Sequence, residues 1–149
     1  MEKEIFEINM TAEDYSCIPT KNNNTDIGYD LKANITENII IHPGERHLIP
    51  TGVKLELPEN CYALITPRSG LALKNGITVL NTPGLIDPDY RGEIKVILIN
   101  HGHEYFTVTP QMRIAQMILN ATSNFELRLK ENIDESTQRG SKGFGSSGV

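Results

Sequence analysis

Alternation of apolar and polar residues with a period of two is the feature of this sequence that most restricts its fold. In "VKLELP", residues 53–58, three apolar side chains fall on one face of an extended chain and two charged ones fall on the other. The stretch "FELRLK", residues 125–130, repeats the pattern with Phe125, Leu127 and Leu129. Because successive side chains of a β-strand point to opposite faces, both stretches are predicted to be half-buried strands. Only "SGLALKNG", residues 69–76, is predicted to hold a helical turn or two, since no stretch keeps a 3.6-residue apolar period over three turns.

Two other stretches are almost wholly apolar and rich in β-branched residues. We expect "NIIIHPG", residues 38–44, and "IKVILIN", residues 94–100, to be strands covered on both faces, in a sandwich core or at a subunit contact. Turn-forming sequences such as "HPGE", "LPEN" and "DPDYRG" separate the runs at short intervals. The sequence therefore predicts an all-β fold, a jelly-roll-like sandwich or barrel.

The chain of 149 residues is predicted to form one globular domain, residues 1–131, followed by a tail, residues 132–149, that is rich in glycine and serine. Its formal charge of −5 argues against nucleic acid or an anionic membrane as a partner, because both require a basic field. Cys17 and Cys61 are far apart and lack C-x-x-C spacing, so they indicate neither a zinc site nor a disulfide framework. This fits a reducing compartment. With no signal peptide and no apolar run of membrane-spanning length, we expect a soluble intracellular protein.

The stretch "NTPGLIDPDYRGE", residues 81–93, combines turn residues with chemically active side chains. Pro-Gly followed by Asp-Pro-Asp-Tyr-Arg-Gly predicts a tight hairpin whose arms carry an amide, two carboxylates and an aromatic ring. Taken alone, Asp87 before Pro88 is equally well explained as an Asx-turn residue. The local sequence leaves a structural and a catalytic interpretation open.

Four further stretches carry polar groups that suit a ligand. "PRSGLA", residues 67–72, sets an arginine and a serine before a glycine, which fits either an anion-binding nest of backbone N–H groups or a loop with a surface salt bridge. "DIGYDL", residues 26–31, places two acids around a glycine, which a solvated turn also explains. In "RIAQMIL", residues 113–119, Gln116 interrupts an apolar strand and needs hydrogen-bond partners or a ligand. The tail "RGSKGFGSSGV", residues 139–149, is either a flexible end or an arm that closes over a ligand.

In their order along the chain, five motifs resemble those of the trimeric dUTP pyrophosphatase (dUTPase) family: "IGYDL", "PRSGLA", "NTPGLIDPDYRGEI", "RIAQMI" and "RGSKGFGSSG". Ile27 stands where the family usually has alanine, and Lys142 where it often has glycine, but neither change removes a group that carries chemistry. The resemblance implies a jelly-roll-like subunit with a flexible C-terminal arm and a homotrimer with active sites at subunit interfaces. It implies hydrolysis of dUTP to dUMP and pyrophosphate, which limits uracil incorporation into DNA and supplies dUMP for thymidylate synthesis.

The resemblance also implies roles in the reaction for individual residues. Asp87 would be the catalytic base that places a water in line with the α-phosphorus. Asp30 would orient the water ligands of a Mg²⁺ ion bound mainly by the triphosphate. Ser69 would donate to the bridging region between the α- and β-phosphates. The other residues expected to bind the triphosphate, through side chain or backbone, are Arg68, Gly70, Gln116, Arg139, Gly145 and Ser146.

The resemblance further implies that the 81–93 stretch and the tail select the base and the sugar of the substrate. The residues that would form the uracil slot are Asn81, Gly84, Leu85, Ile86 and Lys95. Tyr90 would pack beneath the sugar, where a ribose 2′-hydroxyl would collide with it. Phe144 would stack on the uracil, so that the tail acts as a ligand-ordered lid and excludes water.

Two other functions fit parts of the same pattern. A dCTP deaminase shares the sandwich but needs a glutamate on the strand after the hairpin, and the corresponding residue here is Ile97, which has no acid–base chemistry. A binding or signalling protein could keep the nucleotide site and use its surface for a protein partner. An intact Asp87 argues against a purely non-catalytic role but leaves a second role open.

Overall fold

The computed structural model describes residues 2–148, which form ten β-strands, a 3-10 turn and one short α-helix. The strands are β1 (Asn9–Ala12), β2 (Tyr29–Lys32), β3 (Ile39–Ile41), β4 (Arg46–Glu56), β5 (Cys61–Thr66), β6 (Ile77–Val79), β7 (Gly84–Ile86), β8 (Ile94–Asn100), β9 (Phe106–Val108) and β10 (Arg113–Ala121). The 3-10 turn covers Tyr15–Cys17, and helix α1 covers Ser69–Asn75. The all-β prediction is confirmed, and the helical turn predicted at residues 69–76 corresponds to α1.

The strands form two four-stranded sheets and a two-stranded pair, all antiparallel. Sheet A has the order β1-β4-β8-β6, sheet B has the order β2-β10-β5-β7, and β3 pairs with β9. Both sheets send side chains into one core, to which Leu31 and Ile65 contribute from sheet B and Val96 and Leu98 from sheet A. This two-layer packing is the predicted sandwich; its finer jelly-roll description stays a prediction.

The period-two alternation at residues 53–58 is confirmed. The apolar side chains of Val53, Leu55 and Leu57 are buried in the core, and the two charged side chains between them are exposed. Strand β4 carries this segment against β1 on one side and β8 on the other. Burial of one face only is what the alternation predicted.

The strand predicted at residues 125–130 is wrong for this subunit. Strand β10 ends at Ala121, and the residues after it form no strand. The side chains of Phe125, Leu127 and Leu129 are 86%, 101% and 101% exposed. A strand needs a neighbour to pair its backbone groups, and the described part of this subunit brings no strand alongside this segment.

The prediction that the two β-branched runs are buried on both faces is also wrong for the chain by itself. In β8 the inward-facing Leu98 is fully buried, whereas Ile97 and Ile99 on the outer face are only half-buried. In β3 the side chain of Ile40 is 48% exposed. The core lies on one side of each sheet, so the runs leave a partly exposed apolar outer face. The alternative explanation, a subunit contact, stays a prediction.

Both cysteines are buried and unpaired. Burial raises the pKa of the Cys17 thiol, whose Sγ lies 3.8 Å from the carbonyl oxygen of Ala33. Across residues 2–148, no helix has the length and apolar character that a membrane crossing requires.

Candidate active site

Four polar residues meet at one end of sheet B and form what we call the arginine cluster: Asp30, Arg68, Arg113 and Gln116. Asp30 on β2 is paired with Gln116 on β10, and Gln116 is paired in turn with Thr66 on β5. Arg68 follows two residues after Thr66, at the start of α1. Because paired residues on neighbouring strands project to the same face, this register brings three of the five motifs together.

The carboxylate of Asp30 lies between two guanidinium groups. Arg68 Nε is 3.5 Å from Asp30 Oδ1, and Arg113 Nη1 is 3.7 Å from Asp30 Oδ2. The Asp30 side chain is only 9% exposed, against 28% for Arg68 and 47% for Arg113. The carboxylate is therefore covered while both guanidinium groups reach the surface. Two positive charges around one negative charge suit an anionic ligand such as phosphate.

Gln116 has its own hydrogen-bond partner within the cluster. Its Nε2 donates to the carbonyl of Pro67 at 3.1 Å, and its Oε1 faces Gly28. A Cβ at position 28 would lie 2.7 Å from that oxygen, so any side chain there would displace the glutamine. The expectation that this glutamine requires a partner is confirmed, and the glycine of the first motif has a steric explanation.

Ser69 and Gly70 form the first turn of α1, directly beside Arg68. Both are exposed, and the side chain of Arg68 at the N-cap position makes no capping hydrogen bond. The first N–H groups of the helix have no partner within the helix itself. The predicted contact of these two residues with phosphate is sterically open.

A second group of residues lines a pocket of about 360 Å³ on the connection from β7 to β8, which we call the loop pocket. Its lining residues are Leu85, Ile86, Asp87, Tyr90, Glu93 and Lys95. All of them except Glu93 were predicted to be catalytic or substrate-binding. The structure thus brings the predicted base and most of the predicted uracil and sugar contacts into one cavity.

The pairing predicted for the tight hairpin at residues 81–93 is wrong. Strand β7 pairs with β5 in sheet B, whereas β8 pairs with β4 and β6 in sheet A. Residues 87–93 therefore form a loop that crosses from one sheet to the other. Turn residues mark where a chain reverses, but they do not specify which strand receives the next segment. The crossing leaves Asp87 at the end of the edge strand of sheet B.

The loop pocket is shaped by hydrogen bonds within its own loop. Tyr90 Oη donates to the carbonyl of Glu93 at 2.8 Å, and the Tyr90 N–H donates to the carbonyl of Asp87 at 3.2 Å. Before the loop, Asn81 is exposed and Gly84 is buried. A Cβ on Gly84 would lie 3.4 Å from Asn81 Nδ2, so the amide lies against the glycine at the start of β7.

The predicted tail residues contact neither the arginine cluster nor the loop pocket. They are Arg139, Phe144, Gly145 and Ser146. Arg139 Nε donates to the carbonyl three residues further on, at 2.8 Å, and the ring of Phe144 is fully exposed. Within residues 2–148, the hydrogen bonds and the ion pair of the segment 124–148 stay inside that segment. The lid function of the tail stays a prediction.

The arginine cluster and the loop pocket are separate within one subunit. Strand β5 runs between the two groups: its Ala63 lies opposite Ile86 of β7, and its Thr66 lies opposite Gln116 of β10. Asp87, the next residue after Ile86, is therefore four residues away from Thr66 along β5, which corresponds to about 13 Å. In the described chain no hydrogen bond or ion pair joins the two groups. The chain therefore presents two separate groups of predicted site residues.

Two residues of these groups were not predicted. Glu93 lines the loop pocket, and its only signal was its place at the end of the third motif. Arg113 opens the fourth motif, but strict strand alternation would send it to the face opposite Gln116. Its ion pair with Asp30 depends on an irregularity of β10 that the sequence does not mark.

The arginine cluster offers few protein ligands to a metal ion. Residues 2–148 contain no group of three or more His, Cys, Asp or Glu side chains that could hold a metal ion. Asp30 supplies a carboxylate in the arginine cluster, and both of its oxygens face arginines. This arrangement fits a hard cation only where phosphate oxygens and water provide most of its ligands.

Comparison with solved structures identifies the fold. The dUTPase of Staphylococcus bacteriophage 80alpha, solved with dUPNHPP, superposes with a TM-score of 0.84 at 26% identity, covering 96% of this chain and 99% of that chain. The dUTPase of phage phi11 of S. aureus has the same fold, with a TM-score of 0.75 at 21% identity over 89% of this chain and 100% of that chain.

Sequence comparison identifies the family. The deoxyuridine 5'-triphosphate nucleotidohydrolase of Chlamydia pneumoniae is 55% identical over 122 residues, which are 82% of this chain and 84% of that protein. The protein of the same name from Clostridium tetani is 50% identical over 143 residues, 96% of each chain. The dUTPase family profile matches residues 14–148. A profile match over nearly the whole length, joined to five ordered motifs of which the fold gathers the first four into two groups, means that this chain belongs to the dUTPase family.

Proposed function

We propose that this chain is a dUTP diphosphatase, which hydrolyses dUTP to dUMP and pyrophosphate. The observation that carries the proposal is the arginine cluster, in which Arg68 and Arg113 flank the buried carboxylate of Asp30. In a chain of formal charge −5, this local positive charge is what attracts a triphosphate. The relatives from Chlamydia pneumoniae and Clostridium tetani are named as deoxyuridine 5'-triphosphate nucleotidohydrolases, which supports the same reaction.

Asp87 is the proposed catalytic base. Its side chain lies at the loop pocket, and its backbone carbonyl is held by the Tyr90 N–H. A carboxylate in such a position aligns the attacking water with the α-phosphorus and takes a proton from it. The water oxygen bonds to the α-phosphorus as the bond from that phosphorus to the leaving pyrophosphate breaks, and guanidinium groups neutralise the charge that develops on the leaving group.

Selection of the substrate follows from the loop pocket in this proposal. Asn81 and the backbone at Leu85, Ile86 and Lys95 read the edge of uracil. Two hydrogen bonds from Tyr90 to its own loop hold the residue in place, so that its ring would lie fixed beneath the deoxyribose. A rigid surface of this kind rejects a ribose through steric overlap with the 2′-hydroxyl.

We propose that three copies assemble and complete each active site from more than one subunit. The separation between the arginine cluster and the loop pocket supports this. The partly exposed outer face of sheet A, where Leu48, Leu80, Ile97 and Ile99 lie, offers apolar area for a contact between copies. Phe125, Leu127 and Leu129 provide further apolar area, which is almost wholly exposed.

Mg²⁺ is proposed as the cofactor, bound mainly by the triphosphate. When bound, the ion would neutralise phosphate charge and hold the chain of phosphates in one conformation. Since both oxygens of Asp30 face arginines, this side chain would meet the ion's hydration shell instead of entering its first coordination sphere.

The tail is proposed to close over the bound nucleotide. Its glycines and serines bury little apolar surface by themselves, so a ligand is needed to order it. Phe144 offers a fully exposed ring for stacking on uracil, and Arg139 a cation for phosphate. Residues 1–131 and 132–149 would then be a folded domain and a mobile arm.

One assay separates the proposed function from its alternatives. The protein is incubated with dUTP and, separately, with dCTP, and pyrophosphate and ammonia are measured. We expect pyrophosphate from dUTP and no ammonia from dCTP. Ammonia from dCTP would indicate a deaminase, and tight binding of dUTP with no product would indicate a binding protein.

A further inference from the structure

The pairing of β10 with β2 contains a β-bulge between Arg113 and Ala115. Arg113 pairs with Lys32 and Ala115 pairs with Leu31, so Ile114 is an extra residue with no partner of its own on β2. Ile114 and Ala115 are consecutive and both fully buried, which regular alternation does not allow. A bulge of one residue changes which face the preceding side chain occupies.

The bulge determines where Arg113 lies. Arg113 and Gln116 are three positions apart, and in a regular strand an odd separation places side chains on opposite faces. Arg113 would then point into the core, where an unpaired charge is strongly unfavourable. Instead its guanidinium reaches Asp30, the residue that pairs with Gln116. The extra residue therefore brings Arg113 to the outer face, beside the other members of the arginine cluster.

Arg113 contacts Arg68 by two routes. Its backbone carbonyl accepts a hydrogen bond from Arg68 Nη1 at 3.2 Å. Its guanidinium shares the Asp30 carboxylate with Arg68, one arginine on each oxygen. A further hydrogen bond of 3.4 Å from Arg113 Nη1 to Asn22 Oδ1 connects the arginine to the loop that precedes β2.

These contacts engage two of the three nitrogens of Arg68. Nε faces Asp30 and Nη1 donates to the carbonyl of Arg113, whereas Nη2 has no such contact within residues 2–148. A guanidinium is planar, so contacts at Nε and Nη1 fix its plane and set the direction of the Nη2 N–H groups. The free Nη2 of Arg68 is thereby aimed before any ligand arrives.

We propose that Arg113 is a positioning residue, which holds Asp30 and Arg68 so that the free Nη2 of the Arg68 guanidinium meets the triphosphate. This rests on the proposed function, because it assigns the Arg68 guanidinium to a phosphate. Without Arg113, the nearly buried carboxylate of Asp30 depends on Arg68 alone for its counter-charge. Asp30 then competes with the triphosphate for the same guanidinium, and binding weakens.

The test is a double-mutant cycle on the binding of inorganic triphosphate, measured by calorimetry at fixed ionic strength. The four proteins are the wild type, Arg113→Gln, Arg68→Gln and the double variant. We expect Arg68→Gln to weaken binding about 100-fold and Arg113→Gln about 10-fold, as for charge-assisted hydrogen bonds. In the Arg68→Gln background, Arg113→Gln should change binding by less than about 2-fold, because its effect passes through Arg68.

Two further variants control for charge and for folding. Lys54→Gln removes one positive charge from an exposed position on β4 and should leave binding within about 2-fold of the wild type. Arg113→Lys keeps the charge but loses the forked geometry, so it should recover part of the affinity lost in Arg113→Gln. Additive effects in the cycle, or unchanged affinity in Arg113→Gln, would overturn the proposal.

Turnover of dUTP is measured on the same proteins, so that failure of the inference and failure of the proposed function can be distinguished. We expect Arg113→Gln to raise KM about 10-fold and to change kcat by less than about 3-fold, because the substitution weakens the binding of the substrate in the ground state and the transition state alike. A wild type that shows the coupling but no dUTP turnover would contradict the proposed function alone. A wild type that turns over dUTP without the coupling would contradict the inference alone.

Discussion

The ring of Tyr90 packs directly on the backbone of Gly92. A Cβ at position 92 would lie 2.5 Å from Tyr90 Oη and 2.7 Å from its Cζ, which is closer than non-bonded atoms approach. The space that holds the ring therefore exists because residue 92 has no side chain. Together with the bond from Tyr90 Oη to the Glu93 carbonyl, this contact fixes the ring at the loop pocket.

Gly92→Ala should weaken discrimination against UTP without touching the nucleotide. The added methyl displaces the Tyr90 ring, so the ribose 2′-hydroxyl meets less steric overlap. We expect the ratio of kcat/KM for dUTP to that for UTP to fall about 10-fold or more in Gly92→Ala and in Tyr90→Ala. Tyr90→Phe is the matched control, since it keeps the ring and should keep most of the ratio. If the ratio is unchanged in both alanine variants, the sugar is recognised elsewhere.

Asp87→Asn should bind dUTP as the wild type does and lose turnover. The amide keeps the shape of the side chain but cannot accept the proton of the attacking water. We expect kcat to fall by about 10² to 10⁴-fold, as for loss of a general base. Asp89→Asn changes a second exposed carboxylate in the same loop, which does not line the pocket, and should retain activity. Steady-state kinetics and analogue binding test both, and equal turnover in the two variants would remove Asp87 from its role.

Removal of residues 139–149 should leave the fold intact and abolish most activity. The tail makes no hydrogen bond to the sandwich in the described chain, so the melting temperature should shift by no more than about 2 °C. Turnover should fall at least about 100-fold, because stacking, phosphate charge and exclusion of water are lost together. Protease digestion with and without a non-hydrolysable dUTP analogue tests the ordering directly. Equal cleavage of the tail in both conditions would refute a ligand-ordered lid.

Mixing two inactive variants tests whether sites are shared between subunits. The tail-deleted protein retains Asp87, and Asp87→Asn retains the tail. If each active site takes these groups from different copies, mixed assemblies contain some complete sites and should recover measurable turnover. Refolding or subunit exchange, followed by the pyrophosphate assay, provides the measurement. Absence of recovery after verified exchange would mean that both groups come from one copy.

Leu48→Arg should disrupt the proposed trimer. Leu48 is 55% exposed on the outer face of sheet A, next to the half-buried Ile97, and a charge buried there at a contact between copies is strongly unfavourable. Sedimentation should shift from three chains to one, and turnover should fall with it. Leu73→Arg makes the same change on α1, where the side chain is 87% exposed, and should leave the assembly unchanged. A trimer that survives Leu48→Arg would exclude this face as the contact.

Local sequence patterns predicted the elements whose cause is itself local. Alternation identified the face of β4 that Val53, Leu55 and Leu57 bury, and the β-branched run identified β8. The same alternation was misleading at Phe125, Leu127 and Leu129, because a strand also requires a pairing partner, which residues 2–148 do not supply. The turn residues at 81–93 marked a chain reversal correctly but not the crossing between sheets.

By itself, the sequence determined that the chain is an all-β member of the dUTPase family, since alternation, turns and five ordered motifs are all written in consecutive residues. Only the tertiary structure decided that Asp30 joins Arg68 and Arg113, because that contact depends on the register of three strands and on one extra residue in β10. It likewise decided that Tyr90 lies on Gly92. Register and close approach arise from long-range packing, in which a shift of one residue reverses the face that each side chain occupies.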